Sequence, residues 1–342
     1  MKKIILILLL LSNLQSIAQQ LSTRDSIAVF YDSLIYQLKT NYLYSETTNW
    51  ESVIPISEKA LKAKSFGESL VLCTAVFDTI NGSHLNIFSE HGWYKWSRGR
   101  QYKQEEFSHS FLVKYETQPG FEVKILNNKH GYILMPGMLM IDIPQDSINM
   151  EAQRMYDQIM EVVNARSLQG WIIDLRFNVG GNVFPMLAAL YHFLGDNTAY
   201  LSLDQDGVVD DLVKLDRGKV FDDRRAMAAV VPQAKADTKV PVALITGILT
   251  ASSGELVAVA FKGRDQVKVI GEPTAGMLTG NNLTQLPFDV KLTLTSGYLA
   301  DRKAHYETPI KPDITILKQA NFEDISRDPN IVEALKFLES LD

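Results

Sequence analysis

Trp171-Ile-Ile-Asp-Leu-Arg-Phe-Asn-Val-Gly-Gly-Asn182 opens as an apolar run, passes into charged and amide side chains, and ends on paired glycines. A short apolar run bounded by turn residues predicts a buried strand over 171–175. Gly180 and Gly181 at its exit let backbone N–H groups turn toward a bound anion or carbonyl oxygen, as an oxyanion hole requires. The same pair also suits a plain tight turn.

Outward from this strand the pattern alternates. Strands are predicted over 121–126 and 132–135, and an amphipathic helix over 147–165. Beyond it come a helix at about 184–194, a strand over 240–245, a helix over 252–262 and a strand over 267–270. This is the grammar of a layered α/β domain. Residues 204–239, rich in Asp, Arg and Lys and poor in periodicity, read as an insertion in a connection, where lids and substrate loops reside. Upstream, Ile27, Phe30, Tyr31, Leu34, Ile35 and Leu38 recur at helical spacing, as do further runs over 53–61 and 69–80. Residues 88–120 read as loops with short strands. The expected organisation is a small N-terminal helical domain over 19–118 and an α/β core over 119–342.

Composition narrows the classes of function. The 342 residues are 46% hydrophobic and 22% charged, which is globular chemistry and excludes a disordered chain. Lys2 and Lys3 precede the apolar run Ile4 to Leu11, and Ser16-Ile17-Ala18 follows, so 1–18 reads as a signal peptide cleaved after Ala18. That run is far shorter than the ~20 residues that span a bilayer. No cysteine stands near the junction, so no membrane anchor is expected and the protein reads as periplasmic or secreted. The net charge of −6 becomes −8 once the two leader lysines are lost, which disfavours nucleic acid as partner. Cys73, the single cysteine, reads as part of a buried helix face. No HExxH motif or Cys/His cluster is present, so neither metal nor other cofactor is expected.

Thr250-Ala-Ser-Ser-Gly-Glu255 lies between a predicted strand and a predicted helix. A serine at a helix N-terminus sits in partial positive charge that favours an attacking alkoxide, which makes Ser252 or Ser253 a candidate nucleophile. Serine is also a favoured N-cap. A nucleophilic serine needs a base, and the sequence offers His84 in Asn81-Gly-Ser-His84 and His109 in Ser108-His-Ser110.

Taken together, Asp174-Leu-Arg-Phe-Asn-Val-Gly-Gly181, Thr250-Ala-Ser-Ser-Gly-Glu255 and Gly271-Glu-Pro-Thr-Ala-Gly276 resemble the C-terminal processing (tail-specific) serine peptidases, a family that includes the tricorn core protease and interphotoreceptor retinoid-binding protein. The resemblance covers about 131–316 and extends weakly into the helical region. It implies a crotonase-like α/β core of the ClpP/crotonase type with flanking helices, and a peptidase that acts through an acyl-enzyme on peptides or unfolded protein tails. The family's nucleophile falls on Ser252. The lysine of the processing branch falls on Met277, whose thioether accepts no proton at neutral pH.

The tricorn-like branch uses a Ser-His pair and a glutamate instead, which the resemblance carries onto Ser83, His84 and Glu307. His84 would then take the Ser252 proton while Ser83 and Glu307 support it, and Gly180 or Gly181 with the Ser253 N–H would form the oxyanion hole. His109 stays an alternative base. Only 46 residues separate His84 from Gly131, too few for the substrate-gating PDZ domain common in the family. The rival reading is an inactive member that binds a hydrophobic ligand or peptide. An acyl-CoA enzyme of the same architecture is disfavoured by export.

Overall fold

The computed structural model of the chain describes residues 21–140 and 143–341. The leader expected over 1–18 lies outside them. The described residues form two compact units, one of 21–40, 45–98 and 283–293, the other of 41–44, 99–282 and 294–341.

In the first unit α1 (Thr23–Asn41) buries Ile27, Phe30, Tyr31, Leu34 and Leu38, the stripe that the spacing predicts. Three short helices follow, α2 (Ile54–Ala60), α3 (Phe66–Leu70) and α4 (Leu72–Thr79), the last two standing where one helix over 69–80 is expected. Phe30 meets Phe66 edge to face at 5.4 Å, and the Tyr31 hydroxyl donates to the Ser69 carbonyl at 2.7 Å. Cys73 is buried on α4, and burial pushes its thiol up to about 12. β1 (Asn86–Ser89) pairs antiparallel with β2 (Gly92–Lys95) and with Lys291–Thr293.

The second unit begins with α5 (His109–Glu116), in a region expected to be loops and strands. Phe111 on α5 stacks on Phe177 at 4.7 Å, which ties this helix to the α/β unit. Next come β3 (Glu122–Leu126), β4 (His130–Leu134), α6 (Gln145–Ala165), β5 (Gly170–Asp174), α7 (Val183–Ala189) and α8 (Tyr191–Leu194). β6 (Asn197–Leu203), β7 (Val209–Asp216), β8 (Lys219–Asp222) and β9 (Arg225–Ala229) form an antiparallel meander. β7 to β9 occupy part of the stretch 204–239 read as an insertion, and they bury Val213, Leu215, Val220 and Ala228. The chain continues through β10 (Val242–Thr246), α9 (Ser253–Phe261), β11 (Val267–Gly271), β12 (Thr279–Leu286), β13 (Val290–Ala300), β14 (Ile314–Thr315) and α10 (Pro329–Glu339). Tyr298–Ala300 pair with β6.

A six-stranded sheet in the order β14-β11-β10-β5-β4-β3 is the frame of this unit, parallel except for β3. Side chains of β5 alternate between its faces. Trp171 and Ile173 enter a core with Ile159 of α6, Leu187 of α7 and Val257 of α9, whereas Ile172 packs with Phe111, Ile331 and Leu335. The mixed α/β character read from the sequence holds, with helices covering both faces as a parallel sheet requires. Among the described residues no helix is long and apolar enough to cross a membrane.

Candidate active site

Two connections at the carboxyl ends of central parallel strands build the site. The first leaves β5 through Asp174 and Arg176, both buried. The Arg176 Nη2 donates to Asp174 Oδ2 at 2.6 Å and its Nη1 to Asp328 Oδ2 at 2.7 Å. Burial alone would lower the guanidinium pKa, but the two carboxylates outweigh it and the net shift is upward. The Tyr132 hydroxyl adds a bond to Asp174 at 3.0 Å. This anchor fixes where the chain turns.

The turn itself is shaped by Asn178, which is fully buried. Its Oδ1 accepts from the Gly180 N–H and from the Ser253 hydroxyl, both at 3.2 Å, and its carbonyl accepts from the Ala251 N–H at 2.9 Å. Asn178 therefore joins the glycine turn to the serine turn. Gly180 and Gly181 have φ of 115° and 119°, where side chains are strained. A Cβ on Gly181 would stand 2.0 Å from the Met138 carbonyl. The Asn182 side chain then accepts from the Phe184 N–H at 3.0 Å and starts α7. With the Gly180 amide given to Asn178, Gly181 supplies the other amide of the turn.

The second connection leaves β10 and enters α9. Thr250 Oγ1 donates to the Leu175 carbonyl and accepts from the Gly247 N–H, each at 2.9 Å, so it is stapled to the first connection. Ser252 follows with φ 51° and ψ −110°, a strained backbone for any residue with a Cβ. Such a turn between a strand and a helix lifts a serine hydroxyl out of the backbone's cover. Ser252 is partly exposed and faces Gly180. Ser253, by contrast, is buried, with its hydroxyl committed to Asn178. Its N–H is among the first amides of α9, which a helix leaves without an intrahelical acceptor.

Glu255, the last residue of the Thr250–Glu255 motif, is fully buried in the first turn of α9. Its Oε2 accepts from the Ser252 N–H and the Met277 N–H, both at 2.8 Å. Its Oε1 accepts from the Thr274 hydroxyl at 2.5 Å and the Gly276 N–H at 3.0 Å. Burial pushes this carboxyl above the ordinary range against the pull of its four donors. The Ser-x-x-Glu spacing of Ser252 and Glu255 is the local signal that could have singled it out, since it matches a helix-start signature.

The other expected residues fall as follows. Glu307 is ion-paired with Lys262, the residue that ends α9 at the pole opposite Ser252. Ser83 is exposed and His84 buried in the connection between α4 and β1, in the first unit. Burial lowers the His84 pKa to about 4, so its imidazole is neutral at pH 7. His109 is the exposed first residue of α5. Its serine neighbours have structural work: Ser108 Oγ donates to the Ala320 carbonyl at 2.6 Å and Ser110 Oγ accepts from the Phe322 N–H.

Comparison with known proteins identifies the family. The profile of peptidase family S41 matches residues 129–316. A nisin-resistance protein of Lactococcus lactis subsp. lactis is 26% identical over 276 residues, 80% of this chain and 78% of that protein. A carboxyl-terminal-processing protease of Picosynechococcus sp. is 27% identical over 175 residues, half of this chain and 36% of that protein. The structure of a lipoprotein from Streptococcus agalactiae superposes with a TM-score of 0.66 at 26% identity, covering 94% of this chain and 98% of that one. With the profile spanning more than half of its residues, the chain belongs to peptidase family S41.

Proposed function

We propose that this protein is an exported serine peptidase that cleaves peptides or unfolded protein tails through an acyl-enzyme on Ser252. The observation that carries the reading is the strained Ser252 backbone beside Gly180, with the neighbouring Ser253 buried and committed elsewhere. Strain of about 1–3 kcal/mol at a partly exposed serine is kept only where surrounding bonds impose it, and such residues cluster at active sites.

In the reaction His84, neutral at pH 7, takes the Ser252 Oγ proton as the oxygen attacks the scissile carbonyl, and returns it to the leaving amine. The sequence resemblance assigns His84 this part with Ser83 and Glu307 in support. His109, flanked by two serines that hold the 320–322 segment, has the weaker claim. The Gly181 and Ser253 amides receive the developing oxyanion, with the N-terminus of α9 adding partial positive charge. Met138, hydrogen-bonded to Gly180 and Asn182, lines an open groove with Met140, Met150, Ser147, Glu151 and Arg154, which offers a substrate side chain a place beside the scissile bond.

The core is read as crotonase-like, with the first unit as its small N-terminal helical domain. Export rests on the leader over 1–18, and kinship with a lipoprotein and a nisin-resistance protein supports an extracytoplasmic site of action.

The test is labelling of the mature protein with a fluorophosphonate probe. Ser252→Ala and His84→Ala should abolish labelling, whereas Ser253→Ala and His109→Ala should retain it. A wild type that takes no probe would favour the ligand-binding reading.

A further inference from the structure

Ser252 holds a backbone conformation that its own side chain disfavours, so something must impose it. The bonds around its N–H identify what does. A helix N-cap residue ordinarily turns its side chain onto the first turn, and the residue three positions on reaches back to the cap N–H. Here Glu255 reaches back to the Ser252 N–H at 2.8 Å. Its other bonds run to a different part of the chain: the Thr274 hydroxyl and the Gly276 and Met277 amides, none of them on α9. Thr274 Oγ1 in turn accepts from the Ile310 N–H at 2.9 Å, which orients its own proton toward Glu255.

We propose that Glu255 is a positioning residue, whose carboxylate holds the Ser252 amide in the reactive turn and locks it to the turn at Thr274–Met277. This deepens the peptidase reading and rests on it for its catalytic consequence, but the positional part stands on geometry alone. Four donors converge on one buried carboxylate, three of them backbone amides that a neutral amide side chain cannot all satisfy. The bond holds the backbone through its N–H and so fixes where the serine hydroxyl stands. It also accounts for Met277. In this chain position 277 enters the site through its backbone amide, a role indifferent to the side chain, so a thioether can stand there.

The experiment uses the full mature chain in wild-type, Glu255→Gln and Thr274→Val forms, with two readouts. Amide hydrogen exchange reports the Ser252 and Met277 N–H groups directly. Fluorophosphonate kinetics separate the maximal acylation rate from reversible probe affinity. In Glu255→Gln, exchange at Ser252 and Met277 should quicken while amides of β5 and β10 keep their protection. Its acylation rate should fall about 10²-fold at unchanged probe affinity, the loss expected when a reacting group is misplaced. Thr274→Val, which removes one donor and leaves the carboxylate, should lose about tenfold and serves if Glu255→Gln does not fold.

Acylation at the wild-type rate in a folded Glu255→Gln, or unchanged exchange at both amides, overturns the proposal. If the wild type is unreactive yet exchange responds as expected, the peptidase reading fails and the positioning role of Glu255 holds.

Discussion

A Cβ placed on Gly180 would stand 3.2 Å from the Ser252 Cβ and 3.7 Å from its Oγ. The glycine is thus the wall against which the serine is set, and its φ of 115° is itself a conformation that side chains resist. Gly180→Ala should therefore displace the hydroxyl as well as strain the turn. We expect acylation to fall by about 10²-fold and stability by about 1–3 kcal/mol, measured by probe kinetics and urea unfolding. A variant that reacts at full rate would show that the two residues need not be so close.

Strain at Ser252 predicts an inverted mutational response. Ser252→Ala and Ser252→Gly both remove the hydroxyl, yet only glycine tolerates φ 51° with ψ −110°. Ser252→Gly should be the more stable of the two by about 1 kcal/mol, although glycine elsewhere loosens a fold. Thermal unfolding of the pair decides the matter, and a less stable glycine variant would mean that the turn relaxes when Oγ is gone.

Arg176 carries a different kind of obligation. It lies buried between Asp174 and Asp328, both fully buried as well. Arg176→Met leaves two carboxylates facing each other without a cation, and breaking such a group costs about 3–5 kcal/mol. Urea unfolding should show that loss, while Asp174→Asn combined with Arg176→Met and Asp328→Asn should recover part of it by removing the orphaned charge. No loss in the single variant would mean that water reaches the anchor.

The imidazole of His84 gives a pH signature. Its folded pKa is lowered to about 4 by burial, below the ordinary histidine value, so the unfolded chain takes up the proton first on acidification. Its contribution to stability is fully present above the unfolded pKa and is lost as pH falls from about 6.5 toward 4, by up to about 3 kcal/mol. Denaturation at pH 7 and pH 4.5 should show a drop that shrinks in His84→Ala, and an NMR titration should find the ring neutral at pH 5.5. A ring that titrates near 6.5 would remove both expectations.

How legible these features were in the sequence depends on the range of the forces that produce them. β5 was readable because a strand covered on both faces carries apolar residues without interruption, as Trp171-Ile172-Ile173 does. The strands over 209–229 give little signal because their outward residues are Asp, Lys and Arg in quantity, which mask the alternation of Val213 and Leu215. α5 was missed for a similar reason: its eight residues earn their place through stacking of Phe111 on Phe107 and Phe177, a tertiary effect. The motif serine and the paired glycines stood out by residue type. Glu255 carries only the Ser-x-x-Glu spacing as a local signal, since three of its four donors lie about twenty residues downstream, and no local rule assigns a serine a positive φ.

The anchor at Arg176 also bears on when the protein can become competent. Asp328 comes 152 residues after the arginine that it neutralises. A nascent chain that has emerged only as far as α9 already contains Asp174, Arg176 and Ser252, but one of the two carboxylates that balance the buried guanidinium is still to come. Contacts of such long sequence separation form late, because chain closure must precede them. The frame behind the glycine turn is therefore completed only once residue 328 has emerged, and a chain interrupted before that point is left with an ill-balanced buried cation behind that turn.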